Sequence, residues 1–127
     1  MRCGGRAVLL AVVVGALPAG CARQMPVYTA TNVPFGGDAP ASERSLQIRR
    51  AGAGLGWVTE DVAPGLIRGT LELRTHKAMV DVPYDRQQFS IKHASSQNLD
   101  FDGRTIHNNY NGWVRRLQQV IVAQSTI

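Results

Sequence analysis

The spacing of hydrophobic and polar positions changes three times along this chain, and each change marks an element. An uninterrupted apolar run, Ala7 to Leu17, comes first. A short helix is predicted from about Glu43 to Ala53, with Ile48, Ala51, Gly52 and Leu55 on one strip and Leu46, Arg49 and Arg50 on its neighbour. Ser42 is placed to cap it, Glu43 suits the positive end of the helix dipole, and Gly52, Gly54 and Gly56 mark its stop. From Trp57 the period becomes two. Trp57 to Val62 and Leu66 to Arg74 read as strands joined through Ala63-Pro64-Gly65, with Ile67, Gly69, Leu71 and Leu73 on one face and Arg68, Thr70, Glu72 and Arg74 on the other.

The alternation continues. Thr75-His76-Lys77 turns the chain into Ala78 to Tyr84, with Ala78, Val80, Val82 and Tyr84 inward, and Pro83 weakens the end of that strand. Asp85-Arg86-Gln87 leads into Gln88 to His93, with Phe89, Ile91 and His93 inward. Helical spacing then returns from about Arg104 or Thr105 to Val122 or Ala123, where Ile106, Tyr110, Trp113, Leu117 and Val120-Ile121 form a stripe. The expected fold is α+β. A four-stranded antiparallel meander sheet is flanked by a short N-terminal helix and a longer amphipathic C-terminal helix packed on one face.

The apolar run at the start belongs to a different kind of segment. Arg2 and Arg6 precede it and Pro18-Ala19-Gly20-Cys21 follows, which is the three-part pattern of an export signal. Eleven helical residues span roughly 16 Å against a hydrocarbon core of about 30 Å, so the run is too short for a permanent membrane span. Leu17-Pro18-Ala19-Gly20-Cys21 resembles the lipobox of bacterial lipoproteins, with Pro18 where Leu usually stands three places before the Cys. The expectation is a signal peptide over 1–20 and lipidation at Cys21. Signal peptidase cleavage after Ala22 is the competing reading. Ala22 in place of Asp after the Cys favours the outer membrane among lipoproteins.

Composition changes once the signal is set aside. Of 127 residues, 44% are hydrophobic, 18% charged and 6% aromatic, which excludes collagen-like and wholly disordered chains. Part of that hydrophobic share leaves with the signal. The body after Cys21 has no cysteine, because Cys3 lies in the signal, so disulfides, thiolate metal sites and thiol nucleophiles are excluded there. Loss of Arg2 and Arg6 leaves 12 basic against 9 acidic residues, a net +3, scattered as Arg49-Arg50, Arg74-Lys77 and Arg115-Arg116. No nucleic-acid motif accompanies that charge, and nucleic acid is not an expected partner.

From Ala22 to Ala41, Pro26, Pro34, Gly36-Gly37 and Pro40 interrupt any period, and the segment 21–41 reads as a flexible tether ahead of a domain over 42–127. The alternative is that Val27, Tyr28, Val33 and Phe35 pack back on the domain as a short strand.

The remaining residues give little chemistry. His76, His93 and His107 lack the HxH or HxxxH spacing that pre-positions metal ligands, so no metal and no cofactor is expected. Asn98, Asp100, Asp102 and Gly103 imitate the start of a calcium loop, but position twelve is Asn109 and not Glu, and a turn explains them better. There is no GxSxG elbow, and the chain does not read as an enzyme, so no catalytic residue is assigned. One constellation stands out. Arg74 and His76 end a hairpin strand and His107 and Asn111 are four apart near a helix start, which makes them a candidate patch for a partner or a small anionic envelope component.

Gly56-Trp57, Pro64-Gly65-Leu66-Ile67, Leu73-Arg74-Thr75-His76-Lys77-Ala78, Val82-Pro83-Tyr84, Phe89-Ser90-Ile91, Ser96-Gln97-Asn98-Leu99 and Ile106-His107-Asn108-Asn109-Tyr110-Asn111-Gly112-Trp113 follow one another in order. In this the chain, from about Leu46 to Ile121, resembles a family of small, uncharacterised proteobacterial lipoproteins. The resemblance implies the same body and the same lipid anchor, and carries no activity. Its pattern has an aromatic where His93 stands, which implies that His93 fills a pocket and is not a ligand. The function expected is a lipid-anchored envelope protein facing the periplasm, a non-catalytic interaction module with membrane lipid and an envelope protein as partners. The other class is a periplasmic small-ligand or metal-binding protein.

Overall fold

The computed structural model describes residues 23–127. The expected signal peptide and Cys21 lie outside the described residues. In chain order the elements are β1 (Gln24–Pro26), β2 (Ala30–Pro34), α1 (Ala41–Gly54), β3 (Val58–Ala63), β4 (Leu66–Leu73), β5 (His76–Pro83), β6 (Gln88–Gln97), β7 (Thr105–His107) and α2 (Asn108–Ser125). The architecture is α+β, with a five-stranded antiparallel sheet in the order β2-β6-β5-β4-β3 and a separate pair, β1 with β7.

The meander follows from the alternation. On β4 and β5, Ile67, Gly69, Leu71, Ala78, Val80 and Val82 are buried, while Arg68, Thr70, Met79 and Asp81 between them are half-exposed. Arg68 and Asp81 are register partners and form a 2.8 Å ion pair on the wet face. Pro64-Gly65 makes the β3–β4 turn, where Gly65 takes φ +78°, a left-handed conformation that costs glycine least. Gly69 has a packing reason, since a Cβ there would stand 3.3 Å from the Trp57 ring and 3.5 Å from Val80. The helices cover this buried face. Ile48 and Ala51 of α1 and Tyr110, Val114, Leu117 and Ile121 of α2 join the strand residues in one core.

The sheet has a fifth strand, and it comes from the segment expected to be a tether. β2 pairs antiparallel with β6, Ala30 opposite Ile91 and Val33 opposite Phe89. Phe35 just beyond it is 9% exposed and stacks 5.1 Å from Phe89. The alternative of strand-like packing by this segment therefore describes it. The physical reason is the edge of β6, whose unpaired backbone groups β2 satisfies while Phe35 extends the core. A bulge at Asn32, φ +49°, hid the period, and the Asn32 amide donates to Ser90 Oγ at 2.9 Å.

Other boundaries also differ from expectation. α1 begins at Ala41 and its N-cap is Pro40, with no side-chain cap from Ser42, and the Pro40 carbonyl accepts from Glu43 and Arg44. The β4–β5 loop is Arg74-Thr75, with His76 already on β5 opposite Leu73. Leu73, expected inward, is 45% exposed at the end of β4, and Tyr84, also expected inward, is half-buried and packs against the core. β6 runs to Gln97, four residues beyond the expected His93, carried by a bulge between the Val80–His93 and Met79–Ser95 pairs. Ile106 belongs to β7 and not to α2, which starts at Asn108. On α2 the buried stripe is Tyr110, Asn111, Val114, Leu117 and Ile121, so Trp113 and Val120 sit at its margin.

Candidate functional site

The antiparallel arrangement gives the molecule two ends. The Arg74-Thr75 loop, the β1–β7 pair and the start of α2 share one, and Pro64-Gly65, the β5–β6 connection and the end of α2 share the other. Eight residues of β4 separate them, about 25 Å.

Three of the four expected patch residues gather at the first end. Arg74 adopts φ +58° in the tight hairpin loop and is exposed. His76 follows on β5, and His107 ends β7 and is the N-cap of α2. Their rings lie 6.2 Å apart, with the Trp113 ring 6.3 Å from His76. Both Nδ1 atoms are engaged. That of His76 lies 2.7 Å from the Asn98 carbonyl, which only accepts, so Nδ1 carries the proton; that of His107 accepts from the Asn109 amide at 3.1 Å. The two Nε2 atoms thus present opposite hydrogen-bonding characters when both rings are neutral. Asn98, φ +59°, also donates from its side chain to the Thr75 carbonyl at 2.7 Å, which ties the end of β6 to the hairpin.

Asn111 does not belong to this patch. It is 3% exposed, its Oδ1 accepts from the Tyr28 amide at 2.8 Å and its Nδ2 donates to the Pro26 carbonyl at 2.8 Å. Spacing put it on a helical face with His107, but His107 precedes the helix, and Asn111 turns inward to hold the N-terminal segment on α2.

His93 sits against aromatic rings, 4.1 Å from Phe101 and 5.4 Å from Tyr110, with Nε2 3.0 Å from Ser96 Oγ. Burial pushes its pKa down. The Asn98–Gly103 segment closes a turn in which Asp102 accepts from the Arg104 and Thr105 amides and the Thr105 hydroxyl, holding its carboxyl down at about 2. Among the described residues no group of three or more His, Cys, Asp or Glu is placed to hold a metal ion.

The opposite end carries a residue that the sequence reading passed over. Arg44 is 1% exposed, lies 4.3 Å over the Phe35 ring, and donates to Arg86 O at 3.0 Å, Gln47 Oε1 at 3.0 Å, Gly37 O at 3.4 Å and Ser125 O at 3.5 Å. No carboxylate among the described residues pairs with it. Its charge is met by carbonyl dipoles, those at the negative end of α2 included. It also lines an open depression of about 300 Å³ with Phe35, Gly37, Asp38, Arg86 and Gln87, where Arg86 pairs with Asp38 at 2.8 Å. The signal was present, since Arg44, Ile48, Ala51 and Leu55 recur at four, three and four and share the buried strip of α1. Comparison with known protein families, curated proteins and solved structures finds no match to this chain.

Proposed function

We propose that this chain is a lipid-anchored cell-envelope protein, acylated at Cys21 and facing the periplasm from the outer membrane, whose body is a non-catalytic interaction module. An envelope protein is its partner, and the Arg74, His76 and His107 patch serves an anionic envelope component. The observation that carries the reading is the pair of half-exposed imidazoles 6.2 Å apart, both oriented through Nδ1 by backbone groups, beside an exposed arginine. That arrangement suits recognition by charge and hydrogen bonding. The export signal and lipobox-like residues ahead of Arg23 supply the anchor. Acylation is checked by mass spectrometry of the membrane fraction, with Cys21→Ser expected to release the protein from it. Partner binding is checked by in-cell photocrosslinking from Thr75 and from Arg86 in turn, with one reproducible envelope-protein adduct expected from at least one position. Absence of any adduct from both would overturn the interaction reading.

The Arg44 and Arg86 depression favours a second reading, a periplasmic binder of a small carboxylate or phosphate. Calorimetric titration with phosphate and with citrate separates it from the first, since only a small-ligand binder gives saturable heat that Arg86→Ala removes.

A further inference from the structure

We propose that the anionic component met by this patch is the bilayer itself, and that the anchored protein stands with Leu73, Arg74, His76, His107 and Trp113 against a surface of anionic phospholipid headgroups. The inference rests on acylation of Cys21.

The length of chain between anchor and fold carries it. Arg23 is two residues after Cys21, and its carbonyl already accepts a hydrogen bond from the Asn108 amide at 2.6 Å. Gln24 pairs with His107 and Met25 with Ile106, so the ordered body begins at once. Two residues of chain reach about 7 Å at full extension. A long tether would have let the body turn freely above the membrane, whereas this one holds the β1–β7 end within a few ångströms of the headgroups.

The chemistry of that end fits what it would meet. Arg23 and Arg74 are exposed, and Arg74 pairs with no carboxylate among the described residues. Leu73 is 45% exposed beside Arg74 at the hairpin tip. Trp113 lies near His76 at the margin of the α2 stripe, with an indole that favours the interface between headgroups and water. The acidic residues of this end are Glu72, 3.8 Å from Lys77, Asp100, which is exposed, and Asp102, whose carboxylate is turned into its own loop by three hydrogen bonds. An apolar tip flanked by guanidinium groups and an aromatic residue is the composition of a surface that settles on anionic lipid. The opposite end, with the Arg44 and Arg86 depression, then projects into the periplasm.

The test uses the acylated full-length protein in vesicles of phosphatidylglycerol and phosphatidylcholine, against vesicles of phosphatidylcholine alone. A single fluorophore is attached at Thr75→Cys or at Asp85→Cys, and quenching by headgroup spin-labelled lipid is read. On anionic vesicles the Thr75 label is expected to be quenched at least threefold more than the Asp85 label, and Arg74→Glu to lower Thr75 quenching at least twofold. Equal quenching at the two positions on protein whose mass shows the acyl chains would overturn the orientation and leave the lipoprotein reading standing. Equal Thr75 quenching on the two vesicle types would overturn the anionic requirement. A Cys21 mass without acyl chains overturns both the orientation and the reading beneath it.

Discussion

Tyr110 is wholly buried on α2, and its hydroxyl has no hydrogen-bond partner among the described residues. Burial alone pushes its pKa well above the ordinary phenolic value. An unpartnered buried hydroxyl costs about 1–3 kcal/mol. Tyr110→Phe is therefore expected to leave the stability unchanged or raise it by about 1 kcal/mol in urea unfolding; a loss above about 1 kcal/mol would show that the hydroxyl is bonded. His93, against the same ring, gives a prediction in pH. Its folded pKa is lowered by desolvation, so the neutral form belongs to the folded state and the unfolded chain binds the proton more readily. Its contribution is intact above the unfolded value of about 6.5 and is lost as pH falls through the folded one. The melting temperature of the native chain should fall between pH 7.5 and 5.5, and His93→Phe should flatten that slope. An unchanged slope in the variant would remove His93 as the cause.

At the scale of elements, the N-terminal segment decides what the domain is. If 22–41 were a tether, Phe35→Ala would change nothing. With Phe35 stacked on Phe89 and under Arg44, the substitution is expected to cost about 3–5 kcal/mol in denaturant unfolding. Asn111→Ala removes both bonds that hold the Pro26–Tyr28 backbone to α2. Two neutral hydrogen bonds of about 1 kcal/mol each set the expected loss near 2 kcal/mol, read in the same experiment. The meander was legible because β4 alternates from Leu66 to Glu72 and β5 from Lys77 to Pro83. The segment that holds β1 and β2 was not, because three prolines and a bulge at Asn32 leave too few alternating positions for a period to show. Both strands exist because partners distant in sequence, β7 and β6, offer them backbone groups.

Across the whole molecule, the sheet order predicts where the fold opens first. β5 and β6 lie inside the sheet with a partner on each side, while β3 is an edge and five of its six residues are exposed. Native-state hydrogen exchange should protect the amides of Val80, Val82 and Ile91 most and those of β3 and β7 least. Protection of β3 equal to that of β5 would contradict this order. Arg44 acts at the same scale, joining α1, the end of α2 and two loops by bonds to residues up to 81 positions away. By itself the sequence determined the α+β class and the strands of the meander, because each is written in a local period. Tertiary structure alone decided the fifth strand, the inward turn of Asn111, the docking of Arg44 on the Arg86 and Ser125 carbonyls and the meeting of His76 with His107. Those depend on which residues the topology brings together across 31 positions or more, and no local pattern carries that distance.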